Sequence, residues 1–395
     1  MGLLTVGLMS GTSLDGIDAS LVRINGSGRA TRVEVLESLS LTYDDRLKEE
    51  LLRVMDVEAS NVAQICSLNF KLSYLFADAV KQVCTKAGIP LKELDLIGSH
   101  GQTVYHMPKA PPPYVDSTLQ IGDPSVIAYE TGTIVVSNFR TMDMAAGGEG
   151  APLIPDIDWL LFTDTEKGRI LQNIGGIGNC TVLEKNAPLD RVYAFDTGPG
   201  NMIIDELCRS LFNLPYDKDG KIAATGKVHE ELVIEWMNEG YFQQEPPKST
   251  GRELFGKEYG EKIITSNPHL PKEDLVATAT YFTAYSIVDA YKTFVFPKVD
   301  IGEIIVSGGG GNNSTMVQMM QELLPDKDVF TIDRIGMTTD EKEAVGFAIL
   351  ANETIHQQSA NVPHATGAKE SVILGQITLP PEGDQRQILK QAGLM

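Results

Sequence analysis

Apolar and polar residues alternate along three early stretches, Leu3 to Met9, Ile17 to Ile24 and Val33 to Leu41, separated by glycine-rich breaks. A period of two sends successive side chains to opposite faces of a pleat, so these stretches predict three strands of an antiparallel meander. The period then changes. Ile65, Leu68, Leu72, Leu75, Phe76, Ala79, Val80 and Val83 recur every three or four residues and predict a packing helix, which Gly88 and Pro90 should end. Leu94 to Gly98, Leu119 to Gly122 and Ile134 to Ser137 read as further strands, with a proline-rich loop at Pro111 to Pro113 between the first two.

The same order returns downstream. Ile170 to Asn173 reads as a strand, Gly175, Gly176 and Gly178 as a turn, and Asn179 to Leu183 and Val192 to Phe195 as two more strands. Helices are predicted at Met202 to Phe212 and Asp274 to Phe294. The strand Ile304 to Ser307 then runs into a glycine series. The repeated order implies a duplicated architecture, with a first lobe over 1–138, completed by 367–395, and a larger second lobe over 139–366. No charge block or low-complexity tract marks the junction, which is expected near Phe139 to Gly150.

A chain of 395 residues can bury two such cores. With 33 basic against 53 acidic residues the net charge is −20, a field that repels nucleic acid and anionic membrane alike. Neither is expected as a partner. ATP remains compatible, because backbone N–H groups and a divalent cation can cradle phosphates locally. The start, Met1 to Gly7, lacks the basic and apolar regions of a signal peptide. The apolar run Thr283 to Phe296 is short for a membrane span and carries Asp289 and Lys292. Cys66, Cys84, Cys180 and Cys208 form no C-x-x-C pair, which suits reduced thiols in a cytoplasm.

Six segments carry candidate chemistry. Met9 to Asp18 (MSGTSLDGID) joins two strands and lacks the lysine of a Walker loop, so phosphate would meet backbone N–H groups and the hydroxyls of Thr12 and Ser13. The turn at Gly175 and Gly176 holds the matching position in the second half. Two such hairpins facing across a cleft would form opposed anion cradles, although a glycine-bulged hairpin would read alike. Gly308, Gly309, Gly310 and Gly311, followed by Asn312, lie between a strand and a helix, where glycine lets a base or sugar approach the main chain. Asp196, in Phe195-Asp196-Thr197-Gly198-Pro199-Gly200-Asn201, could cap the next helix or accept a proton from an attacking hydroxyl or water. Arg140 opens a glycine-rich segment through Pro152 and could clamp a substrate, or form a surface ion pair. His100 and Gln102, in Ser99-His100-Gly101-Gln102-Thr103, read as a polar loop that hydrogen-bonds a sugar; with no third ligand near His100 and His106, a metal site is not indicated.

Taken together, Met9 to Asp18, Ser99 to Thr103, Ala145 to Leu153 (AAGGEGAPL) and Phe195 to Asn201 resemble the anhydro-N-acetylmuramic acid kinases. These belong to the superfamily of acetate and sugar kinases, heat-shock chaperones and actin, and the resemblance spans nearly the whole chain. It implies an α/β fold of two duplicated ribonuclease-H-like lobes flanking an ATP cleft, and a homodimer dependent on Mg2+. It also implies ATP binding by Gly11, Thr12, Ser13, Leu14, Asp15, Gly16, Ile17 and Asp18, and sugar binding by Arg140 and Glu343. The implied reaction opens a 1,6-anhydro ring with water while O6 is phosphorylated, as a step of cell-wall recycling, with Asp196 as base. Two departures stand out. Val6 to Ser10 carries no Asp before the first phosphate loop, which leaves the metal ligands unassigned, and Glu149 stands where glutamine is expected. Two rivals share the ATP site: a kinase of an open amino sugar that adds no water, and an actin- or chaperone-like ATPase. Substrate-independent ATP turnover would mark the latter.

Overall fold

The computed structural model describes residues 2–11 and 14–381. The expected antiparallel meander is formed by β1 (Leu3–Ser10), β2 (Gly16–Asn25) and β3 (Arg32–Thr42), with Leu8 opposite Ala19 and Ile17 opposite Leu41; the middles of β1 and β2 are buried on both faces, whereas β3 stays partly exposed. The helix α1 (Asp45–Met55) is short and was not foreseen. Its Asp44 cap accepts from Leu47 N at 2.7 Å, and Leu47, Leu51 and Val54 supply the buried face. The predicted packing helix is α2 (Val62–Lys86).

β4 (Leu96–Met107) runs straight through His100 to Thr103, which the sequence suggested was a loop. The segment stays in the sheet because it pairs in parallel with β1 on one side. From Gln102 onward it also pairs antiparallel with β5 (Ser117–Ile121), and Gly101 takes the left-handed φ of 74° that the irregular register needs. The chain continues through α3 (Pro124–Thr131), β6 (Ile134–Ser137), α4 (Thr141–Ala145) and α5 (Ile154–Phe162).

The second series begins with β7 (Arg169–Ile174), β8 (Ile177–Leu183) and β9 (Tyr193–Pro199). Five helices follow: α6 (Met202–Phe212), α7 (Glu230–Trp236), α8 (Arg252–Phe255), α9 (Lys257–Ser266) and α10 (Lys272–Ala290). Residues from Leu275 to Ala290 on nearly every side of α10 are buried, so it forms the centre of a core rather than a surface helix. β10 (Glu303–Ser307), α11 (Ser314–Leu323) and β11 (Asp328–Thr331) complete the series, followed by α12 (Thr339–Ile355), α13 (Pro363–Thr366) and β12 (Gln376–Thr378).

The two sheets have one plan. One runs β3-β2-β1-β4-β6 and the other β9-β8-β7-β10-β11, each with two antiparallel pairings followed by two parallel ones. This is the duplicated α/β architecture that the repeated strand order implied. β12 adds an antiparallel edge to β6.

Compactness divides the chain into one unit up to Leu161 together with Asp340 onward, and another over Phe162–Thr339. Residues 139–161 and 340–366, grouped by patterning with the second lobe, therefore lie with the first. Glycine explains the placement of α12. A Cβ on Gly7 or Gly98 would strike the carbonyl of Ala344 or Phe347, so the bare strands β1 and β4 let the helix lie directly on them. Lys342 pairs with Asp158 at 2.6 Å, both buried, which ties α12 to α5.

Candidate active site

Within the second unit, β9 delivers Asp196. Its carboxylate is held by one main-chain donor: Thr250 N–H donates to Oδ2 at 2.9 Å, and no described residue donates to Oδ1. The main chain around it is fixed as well. Asp196 N–H donates to Lys248 O at 3.0 Å, and the Tyr241 hydroxyl donates to Asp196 O at 2.6 Å. Burial raises the Asp196 pKa above the ordinary carboxylate value, opposed in part by the Thr250 bond. A capping role is excluded, since the α6 cap is Asn201 and receives no side-chain hydrogen bond.

The segment that holds Asp196 is a functional element that sequence patterning missed. Pro246-Pro247-Lys248-Ser249-Thr250-Gly251 reads as a loop, but nothing in the local pattern ties it to a strand 54 residues away. Lys248 is buried, with Nζ donating to the Tyr241 and Phe242 carbonyls at 3.3 and 3.4 Å and lying over the Tyr241 and Phe294 rings. It anchors the loop from below.

The glycine turns of this unit converge beside the start of α6. Gly200 N–H donates to Gly176 O at 2.9 Å and Asn201 N–H to Gly175 O at 2.8 Å, so the β7–β8 turn is stitched to the helix. A Cβ on Gly200 would strike the Gly175 carbonyl, and one on Gly310 the Ile174 side chain. Gly308 has a φ of 83°, and Gly309 and Asn312 are exposed. Asn313, rather than Asn312, caps α11, accepting from Met316 N at 3.0 Å. Gly175, Gly176, Gly308, Gly309 and Gly310 thus form one patch at the strand ends of β7 and β10, where open α/β sheets bind ligands.

In the first unit the β1–β2 hairpin begins at Gly11. Thr12 and Ser13 lie outside the described residues. Leu14 is buried with a φ of 58°, and its N–H donates to Gly11 O at 3.3 Å. Asp15 is exposed, and its carbonyl accepts from Tyr43 N at 3.0 Å. Gly16 is obligatory because a Cβ there would overlap the Leu41 carbonyl. Ile17 belongs to the core, and the Asp18 carboxylate accepts from Ser40 Oγ.

Gln102 is fully buried and committed to the hairpin. Its Oε1 accepts from Ser10 Oγ at 2.6 Å and its Nε2 donates to Gly11 O and Thr103 O at 3.2 and 3.3 Å. It therefore braces the mouth of the loop, helped by Tyr43, whose hydroxyl lies 2.8 Å from Ser10 Oγ.

Arg140 is positioned by His100. The His100 Nδ1 is 2.8 Å from Gly101 O and its Nε2 is 3.1 Å from Arg140 Nε, which makes Nδ1 the protonated nitrogen and Nε2 the acceptor. Burial, with the adjacent guanidinium, pushes the imidazole pKa down to about 3, so it stays neutral. Arg140 Nη1 donates to Gly150 O at 2.8 Å. Burial lowers the guanidinium pKa from its ordinary value while Glu343, exposed on α12, opposes that shift.

The loop over 147–150 hangs on Asp143, another residue the motifs did not single out. Its buried carboxylate accepts from Gly150 N at 2.8 Å, Asn361 Nδ2 at 2.8 Å and Thr366 Oγ1 at 2.7 Å. Glu149 pairs with Lys109 at 2.6 Å at the surface. Among the described residues no group of three or more His, Cys, Asp or Glu side chains could hold a metal ion.

The family model for anhydro-N-acetylmuramic acid kinase matches residues 3–380. The kinase of that name from Bacillus thuringiensis subsp. konkukian is 53% identical over 378 residues, covering 95% of this chain and 99% of its own. Its namesake from Clostridioides difficile is 52% identical over 379 residues, covering 96% and 99%. Among solved structures, the (R)-2-hydroxyglutaryl-CoA dehydratase component A of Acidaminococcus fermentans is similar at a TM-score of 0.45 and 10% identity, covering 89% of this chain and 98% of that one.

Proposed function

Because the chain belongs to the anhydro-N-acetylmuramic acid kinase family and is a kinase of that sugar, we propose that Asp196 is the base that activates water to open the bridged ring. One observation carries this reading. The Asp196 carboxylate has one oxygen fixed by Thr250 N–H and the other with no described donor, and its pKa is raised rather than lowered. A carboxylate so placed accepts a proton better than an ion-paired one.

Water attacks C1 and gives its proton to Asp196, so a C1–O bond forms as the C1–O6 bond breaks. O6 leaves on C6 as an alkoxide and attacks the γ-phosphorus in line. The O6–P bond forms, ADP departs, and the product is N-acetylmuramic acid 6-phosphate. The glycine patch of Gly175, Gly176, Gly308, Gly309 and Gly310 lets ATP approach the main chain at the ends of β7 and β10.

Mg2+ would neutralise charge on the triphosphate. With no described protein cage for it, the cation suits coordination mainly by phosphate oxygens and water. Arg140 and Glu343 are the sugar-binding groups in this reading, with His100 holding Arg140 and Gln102 bracing the hairpin. Four free cysteines support a cytoplasmic enzyme, and family membership supports a homodimer acting in cell-wall recycling.

Replacing Asp196 by Asn keeps an acceptor for Thr250 N–H and removes the base. Turnover should fall roughly 10²- to 10⁴-fold with ATP affinity unchanged, measured by product formation and nucleotide titration. Retained turnover would remove Asp196 from the mechanism.

A further inference from the structure

β9 is the outer strand of its sheet, so main-chain groups of Asp196 that face away from β8 need partners beyond the sheet. They find them in a closed ring of three hydrogen bonds. Asp196 N–H donates to Lys248 O at 3.0 Å, Lys248 Nζ donates to Tyr241 O at 3.3 Å, and the Tyr241 hydroxyl donates to Asp196 O at 2.6 Å. A second bond from Lys248 Nζ, to Phe242 O at 3.4 Å, fixes two successive carbonyls with one side chain.

The ring is seated on a single turn of helix. At the end of α10 the segment Tyr291–Val295 is wound wider than an α-helix, with Phe296 N–H donating to the Tyr291 carbonyl, five residues back, at 2.9 Å. Tyr291 and Phe294 are three residues apart and share a face. Lys248 Nζ lies over the Phe294 ring, 4.7 Å from its centroid, and the same ring meets that of Phe195 edge-on at 6.3 Å. The Tyr291 hydroxyl donates to Gln172 Oε1 at 2.6 Å, and Gln172 Nε2 donates to Thr197 Oγ1 at 3.3 Å. Phe195 and Thr197 flank Asp196 in β9, so the carboxylate-bearing residue and both its neighbours are held from one wide turn.

An apolar side chain in place of Lys248 would fill the space without desolvating an ammonium group. What the lysine adds is direction, because its donors bond two carbonyls while its charge rests on aromatic faces. It does so without pairing with Asp196. Burial lowers the Lys248 pKa, and the carboxylate that opposes this shift is Asp289 of α10; the Asp196 shift has no contribution from Lys248. A cation beside Asp196 would hold its carboxyl low and weaken it as a proton acceptor.

We propose that Lys248 is the positioning residue of Asp196, an inference that rests on the reading of Asp196 as the base. Through its own carbonyl and through Tyr241 it fixes where the carboxylate stands, with the wide turn Tyr291–Val295 as its seat.

Full-length wild type, Lys248→Met, Tyr241→Phe and Asp196→Asn are compared, with the first two substitutions also combined singly with Asp196→Asn. Turnover is measured per folded molecule, together with KM for ATP and for anhydro-N-acetylmuramic acid. Lys248→Met should lower kcat roughly 10- to 100-fold with both KM values unchanged, because the base is displaced while the binding surfaces stay. Tyr241→Phe removes one hydroxyl and tests the ring even where Lys248→Met does not fold; kcat should fall roughly 3- to 10-fold. On the Asp196→Asn background neither change should lower the residual rate further, since the residue they position no longer acts as a base. Full kcat per folded molecule in Tyr241→Phe or in folded Lys248→Met, or a loss confined to KM, would show that the ring is structural only. A further fall of the same size on the Asp196→Asn background would show that the two residues act elsewhere. Either result overturns the proposal. Retained turnover in Asp196→Asn would instead remove Asp196 as the base, whereas lost turnover there with full rates in the other two variants would remove only the role of Lys248.

Discussion

At the residue scale, two titratable groups sit in environments that shift them in opposite directions. Asp196 is pushed up by burial and can take a proton, while His100 is pushed down to about 3 and orients Arg140 as a neutral acceptor. The His100 shift has a consequence for stability. Its folded value lies below the unfolded value of about 6.5, so the stability of the neutral state is fully present above that pH. It is lost as pH falls from about 6.5 toward 3, because the unfolded chain binds the proton first. His100→Gln should therefore lose less stability than wild type between pH 7.5 and pH 5 in urea unfolding. An identical slope would show that His100 titrates freely. Asp196 could be singled out in the sequence because it follows an apolar strand and precedes Gly-Pro-Gly. Thr250 could not, since its part is played by a main-chain N–H that any residue except proline carries.

At the element scale, periodicity located what packing dictates. The meander strands, α2, α6 and α10 follow directly from two- and three-to-four-residue spacing, because each buries one continuous face or, for α10, nearly all of its surface. β4 did not, because Ser99, His100 and Gln102 are polar residues buried in a strand, and polarity reads as a loop. The glycines carry information that period cannot. Gly200 allows the β7–β8 turn to bond to the start of α6, and a methyl there would meet the Gly175 carbonyl. Gly200→Ala should weaken ATP roughly tenfold, about 1.4 kcal/mol, in nucleotide titrations, with the sugar affinity preserved. Full ATP affinity would mean that the turn does not cradle phosphate.

At the scale of the whole molecule, a repeated strand order in the sequence corresponds to two sheets of identical plan, one in each compact unit. The unit boundaries were less legible. α12 follows the second series in the chain yet packs on β1 and β4 of the first, a long-range preference set by bare glycine positions rather than by any local pattern. The residues singled out in the sequence are divided in the same way, with Asp196, Gly175, Gly176 and Gly308 to Gly310 in one unit and Gly11, His100, Arg140 and Glu343 in the other.

The central claim is that a water activated by Asp196 opens the ring as O6 is phosphorylated. It is tested most directly by a brief incubation of the enzyme with ATP and anhydro-N-acetylmuramic acid in 18O-labelled water, quenched before the anomeric hydroxyl exchanges with solvent. The account predicts label on C1 of the 6-phosphate product and none in the bridging oxygen between C6 and phosphorus. Unlabelled product, or label in the C6–O–P bridge, would contradict it.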